Sequence, residues 1–135
     1  MVSKKIDGVF LIDDDSINNY INARLIKRIG ISDDLSISLN GKEALAHLRA
    51  LLSENKKCPS LILLDINMPV MDGFEFVEAF QKMEFENKEE VRIVMLTTSE
   101  NTKDMERVKN NPKISDYLNK PLTEDKLTKV LERLF

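Results

Sequence analysis

The chain has 135 residues and a formal net charge of −3, with 42% hydrophobic and 32% charged residues. This length suits one domain with a buried core, so we expect a single domain over residues 1–135 with no output domain, and the composition argues against disorder. The acidic balance argues against nucleic-acid binding, and the single cysteine argues against a disulfide framework. The start of the chain lacks the long apolar stretch of a signal peptide or membrane span. We therefore expect a cytoplasmic location.

Residues 9–12 form a continuous apolar run that stops at three acids, residues 13–15. Such a run is typical of a strand buried on both faces of a parallel sheet. Ser16 can cap the helix that follows, and Gly30 supplies its end. The apolar residues of this helix recur at every fourth position, which gives the stripe Ile17, Ile21, Leu25 and Ile29.

The next elements repeat this pattern. Residues 35–39 alternate between apolar and polar, as in a half-exposed edge strand, and a second helix follows. Residues 61–64 are again fully apolar and end in an acid, Asp65. After a third helix, we expect the charged stretch 84–90 to be a solvated helix end and loop.

The remaining part of the chain contains two further strand and helix pairs. Residues 91–96 are predicted as the fourth strand, which ends at Thr97. A shorter helix over residues 102–110 and a fifth strand over residues 114–118 follow. Lys120 then stands shortly before a last amphipathic helix.

Five strand and helix units predict an α/β fold, a doubly wound five-stranded parallel sheet flanked by five helices. Ligands of such sheets bind at the carboxyl ends of the strands, where this chain places its acids, Thr97 and Lys120. Several carboxylates at one edge repel each other unless a cation lies among them, and oxygen ligands suit magnesium. We therefore expect Mg²⁺ as cofactor, with Mn²⁺ as an alternative.

The same residue types suit phosphoryl chemistry. A carboxylate can attack phosphorus and form an aspartyl-phosphate when the incoming negative charge is neutralised from several directions. Magnesium would bridge carboxylate and phosphoryl oxygens, Lys120 would supply positive charge, and Thr97 would donate a hydrogen bond.

Four motifs make the chain similar to response-regulator receiver domains, and together they cover nearly its whole length. They are LIDDDS at residues 11–16, LLDINMPVMDG at 63–73, MLTTS at 95–99 and YLNKPL at 117–122. The resemblance implies the CheY-like strand order 2-1-3-4-5. It also implies a role in two-component or phosphorelay signalling, with a histidine kinase or a histidine phosphotransfer protein as the phosphodonor.

The resemblance assigns a role to each residue of the site. Asp65 matches the aspartate that accepts the phosphoryl group. Asp14 matches a direct metal ligand, Asp13 a ligand that acts directly or through water, and Asn67 a residue that offers its backbone carbonyl to the metal. Lys120 matches the lysine that contacts the phosphoryl group, and the bond after it resembles the family's cis peptide to proline.

The resemblance also implies a switch. Thr97 matches the hydroxyl that moves toward the phosphate, and Tyr117 the aromatic side chain that turns inward with it. The surface of the fourth helix, fifth strand and fifth helix, roughly residues 101–135, would then change and bind an unidentified downstream protein. Asn67 and Ser99 flank the path of an attacking water in this family, so we expect them to influence phosphate lifetime.

Alternative functions are also compatible with parts of the sequence. Asp13 and Asp15 after an apolar strand resemble the nucleophile motif of haloacid-dehalogenase-type phosphohydrolases, which are normally longer. A receiver that binds proteins without phosphorylation is a second alternative. Within the receiver interpretation, an output regulator and a phosphorelay intermediate are both open, as is the oligomeric state. We expect no enzyme activity beyond the protein's own phosphorylation and dephosphorylation.

Overall fold

The computed structural model describes residues 5–98 and 102–135. These residues form β1 (Val9–Ile12), α1 (Ser16–Ile29), β2 (Leu35–Ser38), α2 (Gly41–Ser53), β3 (Leu61–Asp65), α3 (Gly73–Phe80), a 3₁₀ turn (Lys88–Glu90), β4 (Arg92–Thr97), α4 (Thr102–Lys109), β5 (Asp116–Asn119) and α5 (Glu124–Leu134). All strand pairs are parallel and the order is β2-β1-β3-β4-β5, so the predicted doubly wound fold is confirmed. Within the described residues, none of the helices is both long enough and apolar enough to span a bilayer.

The central strands are buried on both faces because helices cover each side of the sheet. Successive side chains of a strand point to opposite faces. Phe10 and Ile12 accordingly pack in a core with residues of α2, α3 and α4, while Val9 and Leu11 pack in a second core with residues of α1 and α5. The sheet therefore separates two hydrophobic cores, and its carboxyl edge is left open between them.

The buried side of α1 differs from the predicted stripe. Leu25 and Ile29 are buried, but Ile17 and Ile21 are 68% and 54% exposed. A helix of 3.6 residues per turn advances about 40° beyond a full turn over four residues, so a strict four-residue repeat winds around the helix instead of staying on one face. The prediction for Ile17 and Ile21 was therefore wrong.

The start of α1 also differs from the prediction. Asp15 is the cap residue, and its carboxylate accepts hydrogen bonds from the backbone N–H groups of Ile17 and Asn18. Ser16 is the first residue of the helix instead. An aspartate satisfies these free amides at least as well as a serine.

The charged stretch 84–90 is less solvated than its composition suggests. Phe85 is buried in the core that lies against α2 and α3, and Asn87 is buried beside Cys58. The Asn87 side chain donates to the Cys58 carbonyl at 2.8 Å and accepts from the Cys58 N–H at 3.1 Å. This pair of hydrogen bonds ties the segment to the loop that leads into β3.

Candidate functional site

Three carboxylates meet at the carboxyl edge of the sheet. Asp13 and Asp14 directly follow β1, and Asp65 is the last residue of the neighbouring β3. One oxygen of each lies within 4.8 Å of the others, and we call these three residues the acid cluster. Asp13 and Asp65 are buried whereas Asp14 is exposed, so the cluster opens to solvent at Asp14.

Lys120 completes the cluster from β5's end of the sheet. Its Nζ lies 2.9 Å from Asp13 Oδ2 and 3.3 Å from Asp65 Oδ1. Its backbone N–H donates to the Thr97 carbonyl at 2.8 Å, and the peptide bond after it is cis, as the resemblance implies. Lys126 of α5 donates to both carbonyls that flank Lys120, each at 3.0 Å, which braces the loop.

The charges of the site do not balance within the protein. Burial raises the pKa of Asp65 to about 6, and the nearby Asp13 adds to this effect while Lys120 opposes it. Burial acts to lower the pKa of Lys120, but its hydrogen bond to Asp13 and the charge of Asp65 outweigh burial and raise the pKa. One ammonium among three carboxylates leaves excess negative charge and oxygen ligands, which fits a divalent cation such as Mg²⁺.

The two predicted switch residues lie on β4 and β5. Thr97 ends β4 and is buried, and its carbonyl accepts the hydrogen bond from the Lys120 N–H. Tyr117 lies on β5 in register with Met95, and its half-buried ring packs against the core on the α2 and α3 side of the sheet. Their proposed movement stays a prediction.

The loop after β3 folds back onto Asp65. Asn67 is exposed, and its N–H donates to Asp65 Oδ1 at 3.3 Å. Gly73 allows the close return of the chain, because a Cβ there would lie 2.8 Å from the Asp65 carbonyl. Val70 is 88% exposed and has a φ of 71°, a region that β-branched residues rarely adopt. Ser99, expected to flank the site with Asn67, lies outside the described residues.

Exposed apolar side chains surround this edge of the sheet. Ile17, Tyr20 and Ile21 occupy the first turns of α1, Leu39 directly follows β2, and Val70 lies in the loop after β3. We call these five residues the apolar rim. A contiguous exposed apolar patch marks an interaction surface, and Ile17, Tyr20 and Ile21 are neighbours on α1 at three- and four-residue spacing. The four-residue repeat in the sequence does not predict this feature, because it assigns Ile17 and Ile21 to the buried stripe.

An acid cluster with a lysine at the open edge of a 2-1-3-4-5 parallel sheet is the arrangement expected of a phosphoryl-accepting receiver. The family model of the response regulator receiver domain matches residues 9–132. The chain therefore belongs to the response-regulator receiver family, whose members act in two-component systems.

Known relatives agree with this assignment. Two-component response regulator 24 of Arabidopsis thaliana is 30% identical over 128 residues, which cover 92% of this chain and 81% of the relative. Hybrid signal transduction histidine kinase B of Dictyostelium discoideum is 32% identical over 97% of this chain, which corresponds to 7% of the kinase. A crystal structure of a two-component response regulator from Cytophaga hutchinsonii superposes with a TM-score of 0.86 at 29% identity, covering 96% of this chain and 97% of that one.

The alternative phosphohydrolase motif loses one of its two acids in the structure. Asp15 is not a member of the acid cluster, because its carboxylate caps α1. Asp13, the other acid of that motif, is hydrogen-bonded to Lys120 and the Asp15 N–H. The acid cluster therefore fits the receiver motif around Asp65 better than the phosphohydrolase motif that follows β1.

Proposed function

We propose that the protein accepts a phosphoryl group on Asp65 in a magnesium-dependent reaction and signals through the change that follows. The observation that carries this proposal is the position of the Lys120 ammonium, within 3.3 Å of both buried acids of the cluster. A receiver that works without phosphorylation would not need this complete set of acids and lysine, so we favour a function that depends on phosphorylation.

The phosphodonor is a phosphohistidine of a histidine kinase or a histidine phosphotransfer protein. A carboxylate oxygen of Asp65 attacks phosphorus, the bond between phosphorus and the donor imidazole breaks, and the imidazole nitrogen keeps the electron pair and takes a proton. Asp13, Asp14 and Asp65, with the carbonyl of Asn67, would hold Mg²⁺, which supplies positive charge to the phosphoryl oxygens. No separate substrate is turned over.

Lys120 and Thr97 act on the product. Lys120 is already beside Asp65, so its ammonium can pair with the new phosphoryl oxygens without a long movement. Thr97 donates its hydroxyl to the phosphate, Tyr117 turns inward, and the surface of α4, β5 and α5 shifts between populations. Residues 101–135, of which the structure describes 102–135, then bind the downstream protein.

The first experiment is incubation with acetyl phosphate, with and without Mg²⁺, followed by intact-mass measurement. We expect a magnesium-dependent gain of one phosphoryl group that is lost in Asp65→Asn. The matched control is Asp15→Asn, which makes the same acid-to-amide change outside the acid cluster and keeps a residue that caps helices well.

Two results would contradict the proposal. An adduct that persists in Asp65→Asn and disappears in Asp13→Asn would place the nucleophile on the first strand. Absence of an adduct together with failure to bind beryllofluoride, a phosphoryl mimic that does not hydrolyse in the same way, would favour a binding module that is independent of phosphorylation.

A further inference from the structure

Asn19 is a buried polar residue on the inner side of α1. The residue is only 2% exposed, and its Nδ2 donates a 2.8 Å hydrogen bond to the backbone carbonyl of Asp13. Its Oδ1 is buried as well and accepts no hydrogen bond from the residues that the structure describes. The amide is therefore used for its donor alone.

This hydrogen bond completes the fixation of Asp13. The Asp13 N–H donates to the Ser38 carbonyl at 3.2 Å, and its two carboxylate oxygens accept from the Asp15 N–H and from Lys120 Nζ, each at 2.9 Å. The Asp13 carbonyl lies just beyond the paired residues of β1, and Asn19 provides a donor for it. With both backbone groups and both carboxylate oxygens engaged, the Asp13 side chain keeps one direction toward Asp65.

Stability does not account for an asparagine at this position. Asp15 already caps the helix, and the neighbouring inward residues Ala23 and Ile26 pack in an apolar core. A leucine of similar size would avoid the unsatisfied buried Oδ1, but it would leave the Asp13 carbonyl without its donor, and these two costs are of similar size. A buried polar residue that brings no net stability and holds an acid of the site is better explained by the site's function.

We propose that Asn19 is a positioning residue that orients Asp13 for cation binding. This inference rests on the proposed function, since the cation is the Mg²⁺ of that site. A neutral donor suits the position, because an aspartate would add negative charge beside the acid cluster and could not donate to the Asp13 carbonyl.

The test compares Asn19→Leu with Asn22→Leu in the full chain. Asn22 is also buried on α1, one turn further from the acids, and no hydrogen bond connects it to the cluster in the described part of the chain. The Mg²⁺ dissociation constant is measured by calorimetric titration, and urea unfolding is measured without metal. We expect Asn19→Leu to bind Mg²⁺ 10–100-fold more weakly while its metal-free stability stays close to that of the wild type, and Asn22→Leu to bind Mg²⁺ like the wild type.

A second readout needs no metal. The side-chain amide protons of Asn19 should exchange with solvent far more slowly than those of the partly exposed Asn18, as measured by nuclear magnetic resonance on the metal-free protein. Equal exchange rates would overturn the proposed hydrogen bond. If Asn19→Leu does not fold, Asn19→Ala, which lacks the donor and adds no charge, is measured in its place with the same expectation for Mg²⁺ binding.

The possible results separate this inference from the function on which it rests. A wild type that binds Mg²⁺ and a folded Asn19 variant with the same dissociation constant would overturn only the positioning role. A wild type that binds no Mg²⁺ would overturn both. Weaker binding in Asn19→Leu and in Asn22→Leu alike would show a general effect of α1 packing and would also overturn the positioning role.

Discussion

Asp65 is held in a position that disfavours its own charge. Burial raises its pKa to about 6 in the metal-free protein, whereas an unfolded chain gives a value near 4. The folded state therefore binds this proton more tightly than the unfolded state, so the free energy of unfolding falls as the pH rises from about 4 to about 6. Above that range the ionised Asp65 lowers stability in full.

Removal of this charge should stabilise the metal-free protein. We expect Asp65→Asn to raise the free energy of unfolding by about 1–2 kcal/mol at pH 7.5 and by clearly less at pH 4.5, where the folded wild type is protonated. Urea unfolding in the presence of a chelator, followed by circular dichroism, measures the difference. An equal gain at both pH values would contradict this explanation of the stability change.

The residues of the site were predictable to different degrees. Asp13, Asp65 and Lys120 could be placed together from the sequence, because parallel strands end at one edge of a sheet and these residues end or directly follow three strands. Asn19 and Lys126 could not, since their hydrogen bonds go to backbone carbonyls. The direction of one side chain toward one carbonyl depends on tertiary geometry, which hydrophobic periodicity does not encode.

Among the elements, α1 shows the limit of periodicity most clearly. Its bounds followed from the acids before it and Gly30 after it, but its buried side did not follow from its isoleucines. Asn19 and Asn22 face inward while Ile17 and Ile21 face solvent. A polarity scale predicts the reverse. Such a scale cannot account for a buried amide that has a nearby acceptor, or for an exposed apolar residue that contacts another molecule.

The exposed isoleucines of α1 should affect the rate of phosphotransfer from a protein phosphodonor but not from a small-molecule phosphodonor. We expect Ile21→Asp to slow phosphotransfer from a phosphorylated histidine protein at least tenfold, equivalent to about 1.4 kcal/mol, because the apolar rim would lose an apolar contact and gain a charge. Phosphorylation by acetyl phosphate should be unchanged, since it needs no docking. Both rates are measured by the intact mass of the receiver over time.

A matched variant tests whether the effect belongs to the rim. Lys27→Gln makes the same change of −1 in net charge as Ile21→Asp on the exposed side of α1, but in the last turn, away from the site. It should transfer phosphate at nearly the wild-type rate. Equal losses in both variants would indicate a general charge effect along the helix, and an unchanged rate in Ile21→Asp would exclude the rim as a docking surface.

For the molecule as a whole, cation binding and folding are linked. The acid cluster forms only when β1 and β3 are paired, so Mg²⁺ should bind the folded chain far better than the unfolded chain. At a Mg²⁺ concentration of about 100 times the dissociation constant, the folded state should gain about 2.7 kcal/mol. Thermal unfolding with and without Mg²⁺ measures this gain, which should vanish in Asp13→Asn/Asp14→Asn and persist in Asp15→Asn.

The long span of the Lys120–Asp13 ion pair has a consequence for protein synthesis. The two residues are 107 positions apart, so the ammonium reaches the first acids only after most of the chain has left the ribosome. A nascent or prematurely terminated chain that stops before residue 120 carries the acids without their internal cation. We expect such a fragment not to signal, and only a chain that includes Lys120 to accept a phosphoryl group from a kinase.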